Sequence, residues 1–220
     1  MGDAARLRFV TGNAENLEVP EGNPTVVGRG ESADYRIRND SSVSPKHARF
    51  IREDGCLYVV DLGAVNGVFV RVTEPVLLEN RDRLRFGDHI FGFEVIPWME
   101  VAKANITKVL NDPTTEVIGT KGEIAKARLV IQLDTGHRGK EYFIGDTTIV
   151  IGSGDGTHNF MSDLTISKKH AKITPREQGG FMLTDLNSEH GTWRQTRGRV
   201  ELAPGQEILI GHQRLMVESA

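Results

Sequence analysis

Serine, lysine and histidine fall within four positions in the stretch SVSPKHARF, Ser42 to Phe50, and a near copy, TISKKHAKI, runs from Thr165 to Ile173. Two chemistries could use such a cluster. The first is nucleophilic: Ser44, His47 and Asp61 supply the residue types of a hydrolase triad. That reading fails on context, because the chain has no Gly-x-Ser-x-Gly elbow and Ser-x-x-His sits in a single loop. The second is anion binding. Arg29 follows one apolar run, Ser44, Lys46 and His47 precede the next, and Asn66-Gly67 follows VVDLG. An arginine fork makes bidentate bonds to phosphate oxygens, a serine hydroxyl donates one more, a lysine adds a point charge, and a carboxamide pairs with a peptide main chain. No chemistry on the ligand is required.

Other motifs point nowhere further. GSGDG, Gly152 to Gly156, resembles a nucleotide loop only superficially, since no helical pattern follows it. The seven histidines show no metal-ligand spacing, so neither metal nor cofactor is expected. Trp98 and Trp193 read as packing residues.

Positioning these groups requires strands. Short apolar runs such as TVVGR, ARFIRE, LYVVDL, TIVIG, AKITP and FMLTDL alternate with glycine-bearing turns, the pattern of a sandwich or barrel. The runs repeat. An offset of 124 separates Gly28 from Gly152, Gly67 from Gly191 and Gly87 from Gly211, and an offset of 123 separates Ser44 from Ser167 and His47 from His170. The chain is therefore an internal duplication of two domains of ordinary size. Between the copies, WMEVAKANITKVLND places Trp98, Val101, Ala102, Ile106, Val109 and Leu110 at helical spacing, which predicts a linker helix ending at Asp112-Pro113.

The triple motif VVGR, SPKHA, DLGAVNG resembles the forkhead-associated (FHA) domain, whose pattern is Gly-Arg, Ser-Arg-x-His and Asn-Gly. The resemblance covers about 6–97 and 127–219. It implies an all-β chain of two tandem FHA-type β-sandwiches of about eleven strands each, joined by a helical linker over 98–126. It also implies phosphothreonine-peptide binding by loops at one end. Arg29 and Ser44 would hold the phosphate, with Lys46 beside them, and Asn66 would hold the peptide main chain. Gly28, His47, Gly67, His170 and Gly191 would be structural.

Both copies depart from the pattern. Pro45 stands where the family often has arginine, and it removes a charge and an N–H. Val65 replaces a small polar residue. In the second copy Ser153 stands in place of the arginine and His190 in place of the asparagine. Ser167, Lys168 and Lys169 remain as a residual anion site. The stretch DLNSEHGTW, Asp185 to Trp193, resembles the C-terminal FHA domain of zeaxanthin epoxidases, which suggests a plastid.

The expected function is a non-catalytic phosphothreonine-binding adaptor, with the first copy as reader and the second as a degenerate interaction module. The alternative is an accessory subunit that docks FHA sandwiches, without phosphate, in a large assembly, including a plastid one. The partner is a phosphothreonine-bearing protein or a large complex. A phosphorylated Thr114 or Thr115, each three residues before an aliphatic residue, offers a self-ligand. A net charge of −3 argues against general nucleic-acid binding. No apolar run is long enough for membrane insertion and no signal core opens the chain. One cysteine, Cys56, fits a reducing compartment: the plastid stroma, cytoplasm or nucleus.

Overall fold

The structure, a computed structural model, describes residues 5–10, 15–97, 125–133, 137–154 and 164–218, together with the backbone of 115–116 and 158–159. The expected linker helix over Trp98–Leu110, and Thr114, lie outside the described residues. Those described form an all-β protein. The chain divides into two units: Met1–Arg71 with Gln195–Ala220, and Val72–Arg194.

The first unit is a sandwich of ten described strands. One sheet has the order β7 (Val68–Arg71), β20 (Glu207–Ile210), β21 (Gln213–Val217), β1 (Ala5–Phe9), β2 (Leu17–Val19). The other has β19 (Arg199–Leu202), β6 (Cys56–Asp61), β5 (Ala48–Glu53), β3 (Thr25–Gly28), β4 (Tyr35–Arg36). The alternation that marked ARFIRE as a strand appears as Ala48 and Phe50 buried and Arg49 exposed. Phe50, Val59, Leu7 and Val27 meet Leu202, Ile208, Ile210 and Leu215 in one core.

The second unit contains eleven described strands. Its first sheet runs β11 (Thr115–Glu116), β13 (Arg138–Ile144), β12 (Ala127–Gln132), β10 (His89–Val95), β9 (Asp82–Phe86), β18 (Thr192–Gln195). Its second runs β15 (His158–Asn159), β14 (Ile149–Gly152), β16 (Ala171–Pro175), β17 (Phe181–Asp185), β8 (Val76–Leu78). Leu84, Phe86, Phe91 and Phe93 join Leu129, Ile144, Ile151, Ile173 and Leu183 in its core.

Contiguous boundaries at 6–97 and 127–219 do not match these units. The first copy sends β8, β9 and β10 into the second unit, and the second copy sends β19, β20 and β21 into the first. The physical reason lies in the duplication. Each copy carries homologous strands, so Leu78 and Leu202, or Phe86 and Ile210, can fill equivalent core positions in either sandwich.

Candidate functional site

Three loops of the first unit converge at one rim. After β3 the Arg29 N–H donates to the Ser44 carbonyl at 3.1 Å, and the Gly30 N–H donates to the Pro45 carbonyl at 3.1 Å. This close approach explains the motif glycine: a Cβ at position 28 would stand 2.2 Å from the Pro45 carbonyl oxygen. The Ser44 hydroxyl oxygen accepts the Val65 N–H at 3.2 Å, which ties in the third loop. Asn66 donates from Nδ2 to the Ser42 carbonyl at 2.9 Å. Arg29, Ser44, Lys46 and Asn66 therefore sit on segments that are bonded to one another.

His47 is fully buried beneath them. Its Nδ1 accepts the Ser44 N–H at 2.9 Å, so Nε2 carries the proton and donates to the Gly67 carbonyl at 2.9 Å. Burial pushes the imidazole below its ordinary pKa, opposed by the Gly67 carbonyl and by the charges of Asp61 and Asp40. With both nitrogens engaged, His47 has no lone pair for the Ser44 hydroxyl, which removes the geometry of a triad. Asp61 shapes the third loop instead. Its Oδ1 accepts the N–H groups of Gly63 and Ala64, and its Oδ2 accepts that of Val68 and the Gln195 carboxamide.

Sequence reasoning missed a further support. The nearly buried carboxylate of Asp40 accepts the Ser42 N–H at 3.0 Å, the Ser42 hydroxyl, the His212 N–H at 2.9 Å and Gln213 Nε2 at 2.9 Å. Burial raises its pKa, but these hydrogen bonds outweigh burial and hold the carboxyl well below the usual carboxylate range. Only the recurrence of Gly87 at Gly211 hinted that this turn mattered.

The rim is also electrostatically open. Arg71 and Arg214 form ion pairs with Glu207, Arg199 with Glu53 and Arg52 with Glu21. Arg29, Arg38, Lys46 and Arg49 are exposed, and none of the four has an ion-pair partner among the described residues. Val65, within the loop that Asp61 shapes, is 80% exposed.

The second unit keeps the frame, with Ser153 and His190 at the positions of Arg29 and Asn66. Ser167 N–H donates to His170 Nδ1 at 3.1 Å, His170 Nε2 meets the Gly191 carbonyl at 3.0 Å, and the Ser167 hydroxyl oxygen accepts the Glu189 N–H at 3.0 Å. Ser153, at the arginine position, turns its hydroxyl to the Ile166 carbonyl at 2.6 Å. His190 is exposed, and its carbonyl accepts Trp193 Nε1 at 2.9 Å. Lys168 and Lys169 are exposed and have no ion-pair partner among the described residues. No His, Cys, Asp and Glu grouping suited to a metal occurs among the described residues, and no described helix is long and apolar enough to cross a membrane.

The FHA domain family model matches residues 25–87 and 149–211. The oxoglutarate dehydrogenase inhibitor of Corynebacterium diphtheriae is 31% identical over 80 residues, covering 36% of this chain and 55% of that protein. The inhibitor from Corynebacterium glutamicum is 26% identical over 121 residues, covering 53% of this chain and 84% of that protein. In the first case the match spans about half the relative's length. Among solved structures, an FHA domain from Chlamydia trachomatis aligns over 99% of both chains at 12% identity and a TM-score of 0.41. At that score the likeness adds nothing to the family match.

Proposed function

Since this chain belongs to the FHA domain family, we propose that it is a non-catalytic phosphothreonine-peptide-binding adaptor whose first unit is the reader. The observation that carries this reading is the state of Ser44. Its oxygen already accepts the Val65 N–H, its backbone is pinned by His47 and Arg29, and its hydroxyl proton remains for a ligand oxygen. Beside it Arg29 is exposed, with no ion-pair partner among the described residues. Arg29 and Ser44 would take the phosphate, Lys46 would add charge at the rim, and Asn66 Oδ1 would accept a main-chain N–H of the peptide.

Charge-assisted bonds contribute about 1.5–3 kcal/mol each. Two or three, less the ordering cost, give dissociation constants around the micromolar range. Relatives named for inhibiting oxoglutarate dehydrogenase fit a regulator of this kind rather than an enzyme. They are bacterial, and nothing in them supports the plastid expectation.

A second reading, phosphate-independent docking, is favoured for the second unit by Ser153, which spends its hydroxyl on Ile166, and by His190 in place of a carboxamide. A self-ligand at phosphorylated Thr114 or Thr115 would need no other partner. Titration calorimetry of the full chain tests the main reading. Phosphothreonine peptides should bind, unphosphorylated counterparts should not, and Arg29→Ala should abolish the difference. Equal affinity for both peptide forms would reject it. Light scattering of kinase-treated protein, with and without Thr114→Ala/Thr115→Ala, tests the self-ligand: an unchanged mass rejects it.

A further inference from the structure

The reading groups of the first copy are continuous, through hydrogen bonds, with the turn between β20 and β21, which belongs to the second copy. The path begins at Gln213, whose Nε2 donates to Asp40 Oδ2 at 2.9 Å. The His212 N–H donates to the same oxygen at 2.9 Å. Asp40 Oδ1 in turn takes both the N–H and the hydroxyl of Ser42. The Ser42 oxygen lies 2.9 Å from His212 Nδ1, and the Ser42 carbonyl accepts Asn66 Nδ2 at 2.9 Å. The last bond fixes which way the Asn66 carboxamide faces and leaves its Oδ1 for a ligand. Steric fit reinforces the path: Gly211 has a φ of +61°, and a Cβ there would stand 2.5 Å from the Ser42 oxygen.

The second unit repeats the construction with the copies reversed. The Asp88 N–H, from the first copy's turn between β9 and β10, donates to Thr165 Oγ1 at 3.1 Å. Thr165 occupies the repeat position of Ser42. Gly87 has a φ of +57°, and a Cβ there would stand 2.2 Å from Thr165 Oγ1. In each unit the recognition loop of one copy leans on the turn of the other. The strand exchange thus reaches the binding site as well as the core.

We infer that Gln213 and His212 are positioning residues for phosphopeptide recognition, acting through Asp40 and Ser42 on the Asn66 carboxamide. The inference rests on the reading of the first unit given above, and it names residues that touch no ligand themselves. A carboxylate that bridges four donors transmits position because each bond to a charged acceptor is strong and directional. Removing the Gln213 donor leaves Asp40 with one partner fewer and releases the Ser42 segment.

The test uses the full chain labelled for NMR, with Gln213→Leu, which keeps the side chain's bulk. His212→Ala is the second variant, truncating a side chain that is 62% exposed, so that folding is retained. Without ligand, Gln213→Leu should shift the Asn66 side-chain amide and speed exchange of the Ser42 N–H, with the Leu215 and Val217 amides unmoved. With a phosphothreonine peptide, affinity should fall about tenfold, the effect of one bond to a charged group. Adding Asn66→Ala should then cost less than it does in the wild-type chain, because the two act in series. Unmoved Asn66 and Ser42 signals in both variants would overturn the inference, and so would fully additive losses. If the wild-type chain binds no phosphothreonine peptide, the functional reading falls, and the ligand-free spectra alone decide whether the path exists.

Discussion

Glu201 of the second copy stands directly opposite Tyr58 of the first, in an antiparallel register that continues through Leu202 and Leu57. Directly opposed antiparallel residues have Cα atoms about 4.5–5.5 Å apart, a spacing a disulfide can span. The variant Cys56→Ser/Tyr58→Cys/Glu201→Cys is therefore expected to form an intramolecular cross-link on mild oxidation. Peptide mapping of the monomer should join segments that lie in different copies. A chain folded as two contiguous sandwiches would put these cysteines in separate sandwiches, and the monomer would stay unlinked.

Gly28 gives a second test, local to the rim. Gly28→Ala should destabilise the chain by about 2–3 kcal/mol, because the added methyl meets backbone that cannot give way. It should also weaken phosphopeptide binding, since the displaced atoms belong to the Ser44–Lys46 segment. Gly55→Ala is the control. Its φ is +78° but nothing lies within 4 Å of an added Cβ, so only the backbone penalty of about 1 kcal/mol remains. Urea unfolding of both variants checks this, and equal losses would show that the contact at Pro45 is unimportant.

The alternation of buried and exposed residues made most strands legible, from ARFIRE and LYVVDL to AKITP and FMLTDL. β2, β8 and β19 escaped because runs of three or four residues, two of them interrupted by charges, carry too little pattern. The exchange could not be read at all. Periodicity tells Leu78 and Leu202 to be buried but cannot say in which of two homologous sandwiches. The convergence of the Arg29, Ser44 and Asn66 segments was legible, because all three lie between apolar runs and the loops of a sandwich gather at one end. The Asp40 hub was not, because its partners His212 and Gln213 lie more than 170 positions away and belong to the other copy.

Stability should fall on mild acidification, through His47. Its folded pKa is lowered, chiefly by burial. Below the unfolded value of about 6.5 the unfolded chain therefore takes up a proton that the folded chain refuses. The loss begins as pH drops through that value and continues toward the folded one, at up to about 1.4 kcal/mol per pH unit. The depressed carboxyl of Asp40 acts in the same direction but lower, below about pH 4. Unfolding midpoints at pH 7.5, 6.5 and 5.5 should decline for the wild-type chain and decline less for His47→Asn. Parallel slopes would exclude the imidazole as the cause.

The second unit should acquire what it lacks by two substitutions. Its frame is intact: His170 holds Ser167 and Gly191 as His47 holds Ser44 and Gly67, and Ser167 accepts the Glu189 N–H as Ser44 accepts that of Val65. What is absent is the guanidinium at position 153 and the carboxamide at 190. In an Arg29→Ala background, which silences the first unit, no phosphate-dependent binding is expected. Adding Ser153→Arg and His190→Asn should restore at least two charge-assisted or main-chain bonds, about 2–4 kcal/mol. By calorimetry that gain is about 30- to 1,000-fold in affinity for a phosphothreonine peptide. Ser153 also gives up its bond to the Ile166 carbonyl, so a modest loss of stability should accompany the gain. Continued silence of the doubly substituted unit would mean that the frame alone, without further groups at its rim, does not make a reader.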